Sequence, residues 1–361
     1  MVKMMLSVIV ISFLGSVVVS GIIIITTRYH GKYTLDSDMA AVHKFHKEAV
    51  PRIGGIALFA GLVAGAIYHG LQADDHLHLS KWAGVAALPV FLGGFFEDVF
   101  KKVTPRDRLL LSFLSASIGY YELDIGLGSI DWPVFDENIL SQPGVALLLT
   151  IFMVAGVAHS TNIIDGFHGL LLGSTCLTLM AFIWVMVQTG GGLLTTFSAI
   201  MLGAVLGVFF WNFPKGKIFV GDGGAYLIGF LLSVLALLLV KSRSDVSPWF
   251  PLLVLSYPIF ETVFSITRKK LVRQKPVMIP DNYHLHMLVY EVISSPISKK
   301  IGINKNATTS IIIWCFSLVA IIPAILWWRS TLMMLGFFLV FCVLYSCLYL
   351  WLFKKIDSKA F

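Results

Sequence analysis

Three acidic sites stand out in an otherwise apolar chain of 361 residues: the Glu97-Asp98 pair, Asp165 and Asp222. Each has companions suited to phosphate chemistry. Lys101 and Lys102 follow Glu97-Asp98; Asn162 precedes Asp165, with Gly166 and His168 after it; Phe219 and Gly221 precede Asp222, with Gly223-Gly224 after it. Two further stretches are Pro51-Arg52-Ile53-Gly54-Gly55 and Pro280-Asp281-Asn282-Tyr283-His284-Leu285-His286, the second inside a basic segment over 266–309. Carboxylates can hold a hard divalent cation such as Mg²⁺, which completes its shell with substrate phosphates. Arg, Lys and His answer phosphate charge, and glycines before a helix N-terminus let backbone N–H groups approach it. The combination is equipment for phosphoryl transfer, in which catalysis is mostly positioning and charge neutralisation.

Taken singly, each stretch has an ordinary structural use. Pro51-Arg52 can open a helix with a snorkelling Arg, Asp222 can cap one, and Asp165-Gly166 can make a turn. Two features argue for more. Adjacent carboxylates at a helix C-terminus oppose the macrodipole, and Asn, Asp and His between two apolar helices are costly unless paired or used. His284 and His286 do not share a helix face; with no Cys or third ligand nearby, they suit phosphate contact better than zinc.

The elements that must position these residues are membrane spans. Hydrophobic residues make up 57% of the chain, charged residues 13%, and the mean hydropathy is +0.84. A soluble domain carries roughly 25% charged residues. The apolar runs are continuous rather than alternating, which selects helices over a barrel. Windowing places spans near 4–26, 53–72, 82–97, 108–121, 144–159, 169–187, 191–211, 223–240, 249–265, 310–328 and 331–353. The third to fifth are short. The expected fold is all-α: a polytopic integral membrane protein of about 10–11 transmembrane helices in one domain over 1–361. The first run is too long for a signal-peptide core and is read as a retained span. Gly61-x-x-x-Gly65 and Gly203-x-x-x-Gly207 suit close helix packing. Cys176, Cys315, Cys342 and Cys347 lie within apolar runs and show no metal or disulfide spacing.

Lys and Arg set the orientation. Twenty-two of the 27 fall in 28–52, 98–108, 212–221, 266–309 and 354–361, whereas 122–143 holds five carboxylates and no Lys or Arg. The positive-inside rule then puts the N-terminus outside and the C-terminus in the cytoplasm. All five polar stretches fall at cytoplasmic span ends, so the active site is expected at that face. The net charge of +7 reflects topology and contact with anionic lipid, and nothing points to nucleic acid.

At these residues the sequence resembles the polyprenyl-phosphate N-acetylhexosamine-1-phosphate transferase family, with the motifs in family order from about Lys47 to His286. Pro51, Gly54 and Gly55 match its Pro-x-x-Gly-Gly element, with Lys47 at a nucleotide-contacting position before it. Asp98 and Lys101 match Asp-Asp-x-x-Lys; Asn162, Asp165 and Gly166 match Asn-x-x-Asp-Gly. Asp222 matches the metal-binding Asp, Phe219 the uracil-stacking aromatic, and His284 and His286 the phosphate-contacting His-x-His loop. Glu97 replaces the first Asp of the pair, His168 stands where many members carry a second Asp, and Met287 stands where the muramoyl-pentapeptide branch has a third His. Met287, with Gly-Asp-Gly-Gly-Ala-Tyr at 221–226, points to the glycan-initiating branch.

The resemblance implies a Mg²⁺-dependent enzyme (Mn²⁺ as a substitute) of the bacterial cytoplasmic membrane. It would transfer N-acetylhexosamine-1-phosphate from a UDP-N-acetylhexosamine to polyprenyl (undecaprenyl) phosphate. It implies Asp98, Glu97, Asp165 and Lys101 as catalytic residues and Asp222 with Asp98 on the metal. Lys47, Arg52, Asn162, His168, Phe219, His284 and His286 would bind substrate. The oligomeric state stays open, a homodimer included. The rival from another class is a transporter or flippase of lipid-linked sugar, which would place its polar residues at the bilayer midplane on repeated broken helices. Glu261, inside the ninth span, has no role assigned from sequence.

Overall fold

The structure is a computed structural model that describes residues 2–35, 49–72, 77–272 and 283–357. Helices form at all eleven expected spans. The first half comprises α1 (Val2–Ile25), the short α2 (Thr27–Thr34), α3 (Gly54–Gln72), α4 (Leu77–Phe100), α5 (Pro105–Glu122), the single-turn α6 (Pro133–Phe135) and α7 (Pro143–Ile164). The second half comprises α8 (Leu170–Gln188), α9 (Leu193–Asn212), α10 (Gly221–Ser242), α11 (Phe250–Val254), α12 (Ser256–Thr267), α13 (Leu285–Val292), α14 (Ser294–Ile301), α15 (Lys305–Trp327) and α16 (Thr331–Asp357). Among the described residues, nine of these helices are long and apolar enough to cross a membrane. The remaining two expected spans are α5, which carries Arg106, Asp107 and Arg108 in its first turn, and the pair α11–α12, broken at Leu255. The protein is thus an all-α, multi-pass membrane protein.

The spans that look short in the sequence are longer in the structure. The seventh helix runs on to Ile164, past Ser160, Thr161 and Asn162. Ser160 Oγ bonds back to the Gly156 carbonyl at 2.7 Å, and Thr161 Oγ1 reaches the Ala225 carbonyl of α10 at 2.9 Å. Hydrophobicity windows stop at these residues, but α7 itself supplies a partner for Ser160, and α10 supplies partners for Thr161 and Asn162.

The centre of the bundle is α10, flanked by α3, α4, α5 and α7. Eighteen of its 22 residues are buried, so it is covered all round, whereas α16 turns much of its surface to lipid. On one side α1, α3 and α9 pack through small residues. Ser12 and Ser16 of α1 fill the space where side chains on Gly61, Gly65, Gly203 and Gly207 would stand, and Ser16 Oγ donates to the Ala57 carbonyl at 2.9 Å. Both expected small-residue pairs therefore serve close packing.

Candidate active site

Three helix ends meet through glycine. The segment entering α3 lies along the one entering α10. Gly54 N–H donates to the Phe219 carbonyl at 2.9 Å, Gly55 N–H to the Val220 carbonyl at 2.8 Å, and Phe219 N–H to the Pro51 carbonyl at 2.8 Å. A Cβ on Gly55 would strike the Gly224 backbone, and one on Gly94 of α4 would strike the backbone of Asp222 and Gly223. Gly221 has φ +73° and lies against the Arg52 carbonyl and the Asp98 carboxylate, leaving no room for a side chain. These contacts require glycine for both space and dihedral.

The close approach delivers the carboxylates. Asp98, in the last turn of α4, is buried and accepts the N–H of Asp222 at 2.9 Å and of Gly223 at 3.0 Å. An anion poorly placed at one helix C-terminus is therefore well placed at the N-terminus of another, where free N–H groups and the positive dipole end favour it. Asp222 faces two guanidiniums. Arg52 Nη2 lies 3.2 Å from its Oδ1 and 3.7 Å from Asp98 Oδ1, and Arg108 of α5 donates to its Oδ2. Asp165 stands at the end of α7; burial pushes its carboxyl up to about 7, with Arg52 pulling it down and Asp222 pushing it up.

A second layer backs this cluster. Asn162 Nδ2 donates to the Tyr226 hydroxyl at 3.2 Å, and that hydroxyl lies 3.4 Å from His159 Nδ1. The Arg108 guanidinium stands 6.0 Å from the centre of the Tyr226 ring. Arg108, His159 and Tyr226 escaped the sequence reading, though each leaves a trace. Two arginines in the first turn of α5 oppose its dipole, His159 lies one turn before Asn162, and Tyr226 one turn after Asp222.

The other expected residues divide. Glu97 Oε2 accepts the Val103 N–H at 2.9 Å, fastening the α4–α5 loop, and Lys101 is exposed with φ +53°. Neither side chain makes a hydrogen bond or ion pair to Asp98, Asp165 or Asp222 among the described residues. His168 holds the loop before α10: its Nδ1 donates to the Pro214 carbonyl at 3.0 Å, its N–H to Asn306 Oδ1 at 2.6 Å, and its ring lies 5.8 Å from that of Phe219. Burial lowers the His168 pKa, so it serves as a neutral loop anchor. Lys47, Asp281 and Asn282 lie outside the described residues.

The His284 and His286 rings stack in parallel, 5.4 Å apart, at the start of α13. His286 is fully buried, with Nδ1 3.0 Å from the Tyr257 hydroxyl. Its Nε2, without a hydrogen-bond partner among the described residues, lies 3.9 Å from where a Gly166 Cβ would be. Burial pulls His286 down to about 3, so it is neutral and meets the site as a polar group rather than a cation.

Comparison with known proteins gives the family. Residues 80–240 match the family model described as glycosyl transferase family 4. A Bacillus subtilis protein named probable undecaprenyl-phosphate N-acetylglucosaminyl 1-phosphate transferase is 30% identical over 69% of this chain and 68% of its own. The undecaprenyl-phosphate alpha-N-acetylglucosaminyl 1-phosphate transferase of Thermotoga maritima is 26% identical over 76% of each chain. The phospho-N-acetylmuramoyl-pentapeptide-transferase of Rubrobacter xylanophilus is 26% identical over 73% of this chain and 82% of its own. With its motifs in order, its glycine-locked helix ends and these relatives, the chain belongs to glycosyl transferase family 4, the polyprenyl-phosphate N-acetylhexosamine-1-phosphate transferases.

Proposed function

We propose that this protein transfers N-acetylhexosamine-1-phosphate from a UDP-N-acetylhexosamine to undecaprenyl phosphate at the cytoplasmic face of the membrane, starting a cell-envelope glycan. The observation that carries it is the meeting of Asp98, Asp165 and Asp222 with Arg52 and Arg108 where span ends converge. A phosphate oxygen of the lipid attacks the sugar-bearing phosphorus. The bond from that phosphorus to the bridging oxygen breaks, and UMP leaves with the electron pair. The lipid phosphate, with a second pKa near 6, is largely dianionic at neutral pH and needs no strong base. In this reading the N-terminus lies outside and the C-terminus in the cytoplasm, which the Lys and Arg distribution supports.

The residues fit Mg²⁺. Among the described residues no group of three or more His, Cys, Asp or Glu could hold a metal alone. One or two carboxylates plus substrate phosphates is the usual Mg²⁺ shell. Asp222 supplies the carboxylate, with its negative charge now met by Arg52 and Arg108. The bound ion would neutralise pyrophosphate charge. Asp98 contributes by fixing the first turn of α10 and hence the direction of Asp222. With a cation on Asp222, Arg52 and Arg108 would face phosphate oxygens, and Asp165 would present a carboxyl beside them. None of the relatives named above is a transporter, and the polar cluster lies at span ends rather than at the midplane.

The test is transfer of label from a panel of UDP-N-acetylhexosamines into organic-extractable lipid by membranes holding this protein, with Mg²⁺ and polyprenyl phosphate. Mg²⁺-dependent labelling with UMP as co-product, lost in Asp222→Asn, is the expected result. No labelling from any donor and no nucleotide binding would overturn the reading.

A further inference from the structure

Among the described residues, Glu261 is a buried charge outside the acidic cluster, wholly inaccessible in the middle of α12. A carboxylate in such surroundings is costly unless its oxygens are satisfied. Glu261 has four donors. Oε1 receives His284 Nδ1 at 2.9 Å and Ser265 Oγ at 3.2 Å; Oε2 receives the Leu285 N–H at 3.1 Å and the Tyr345 hydroxyl at 2.8 Å. Two of the four come from the His-x-His segment itself. His284 is the N-cap of α13 and Leu285 its first residue, so the carboxylate also sits on the N-terminus of that helix.

The arrangement is a template. Tyr257, Glu261 and Ser265 are spaced by four along α12 and so share one face. Tyr257 holds His286 by Nδ1, and Glu261 holds His284 by Nδ1, which aligns the two rings. Tyr345, from α16, locks Glu261 from behind. A helix-packing role would need none of this correspondence between one helical stripe and both imidazoles. We propose that Glu261 is the positioning residue of the His284–His286 loop. By taking the Nδ1 hydrogen of His284 it sets which ring nitrogen carries hydrogen and where Nε2 points, the way a carboxylate orients a catalytic or metal-binding histidine. The effect on turnover rests on the transferase reading; the Glu261–His284 coupling does not.

Two measurements on the full-length protein test it. Histidine-selective ¹⁵N spectra of the purified chain report imidazole protonation without turnover. Glu261→Gln and Tyr345→Phe are the variants, with Glu261→Asp as the conservative rescue. The expected result is a changed His284 signal in Glu261→Gln. Its kcat should fall on the order of 10- to 100-fold, the range seen when a partner orienting a ligating histidine is removed. The KM for the sugar nucleotide should change little, and the acid limb of the pH profile should move. Tyr345→Phe should shift both readouts the same way by less, and Glu261→Asp should restore part of each. Unchanged ¹⁵N signals in folded Glu261→Gln and Tyr345→Phe overturn the proposal. So does a loss of activity that is independent of pH and matches the loss of folded protein. If the ¹⁵N signal depends on Glu261 while the native chain transfers no sugar phosphate, the coupling stands and the transferase reading falls.

Discussion

The Asp98 carboxylate accepts the backbone N–H of Asp222 at 2.9 Å, joining the end of α4 to the start of α10 across 124 residues of sequence. With Gly223 N–H on its other oxygen at 3.0 Å, Asp98 fixes the direction in which Asp222 leaves the helix. Replacing it with Asn keeps one acceptor but turns an NH₂ group toward a backbone donor. Asp98→Asn should cost about 1–3 kcal/mol of stability, the cost of a buried donor left unpaired. It should also reduce transfer well beyond that loss of folded protein. Thermal unfolding in detergent and transfer assays read the two effects; a stable variant with native activity would remove Asp98 from the site.

Arg108 is paired with Asp222, so on the proposed function it would compete with Mg²⁺ for that carboxylate. In Arg108→Ala, the Mg²⁺ concentration for half-maximal transfer should fall because a guanidinium no longer occupies Asp222, while kcat falls because a phosphate partner is gone. Mg²⁺ titrations of native and variant protein distinguish this from a packing role, in which the Mg²⁺ requirement would not move.

The glycine contacts make a paired prediction within one helix. A methyl group at Gly94 would meet the backbone of Asp222 and Gly223, whereas nothing lies within 4 Å of a Cβ at Gly84. Gly94→Ala should destabilise by roughly 1–3 kcal/mol through overpacking, and activity should fall with it. Gly84→Ala should be neutral or stabilising by up to about 1 kcal/mol through helix propensity. Equal behaviour of the two would count against the close approach of α4 and α10.

Asp165 and His286 give opposite pH dependences. Asp165 binds its proton more tightly when folded, with a pKa of about 7 against 3.8. Its contribution to stability is complete below pH 3.8 and is lost as pH rises through 7. His286 resists protonation when folded, with a pKa of about 3 against 6.5. Its contribution is present above pH 6.5 and is lost as pH falls toward 3. Between those limits each acts with a slope approaching about 1.4 kcal/mol per pH unit, and the two largely cancel. Relative to native protein, Asp165→Asn should lose stability on acidification from pH 6.5 to 4.5, and His286→Gln should gain it. Melting temperatures across that interval decide; two variants with the native slope would show that neither group titrates as placed.

Much of this protein was legible in the chain alone. Hydropathy acts segment by segment, and lipid obliges each segment to satisfy its own backbone, so the spans, the all-α class and the family motifs follow from residues read in order. The glycines at 54, 55, 221, 223 and 224 were likewise visible, although the chain showed only that something approaches them closely. Side-chain pairing was not legible, because it depends on which helix ends meet. Only the tertiary structure brings Arg108 to Asp222, turns Glu97 toward the Val103 N–H instead of the cluster, makes His168 a loop anchor and buries Glu261 under four donors. A charge in a low-dielectric interior is defined by its nearest partners, and those partners come from other helices.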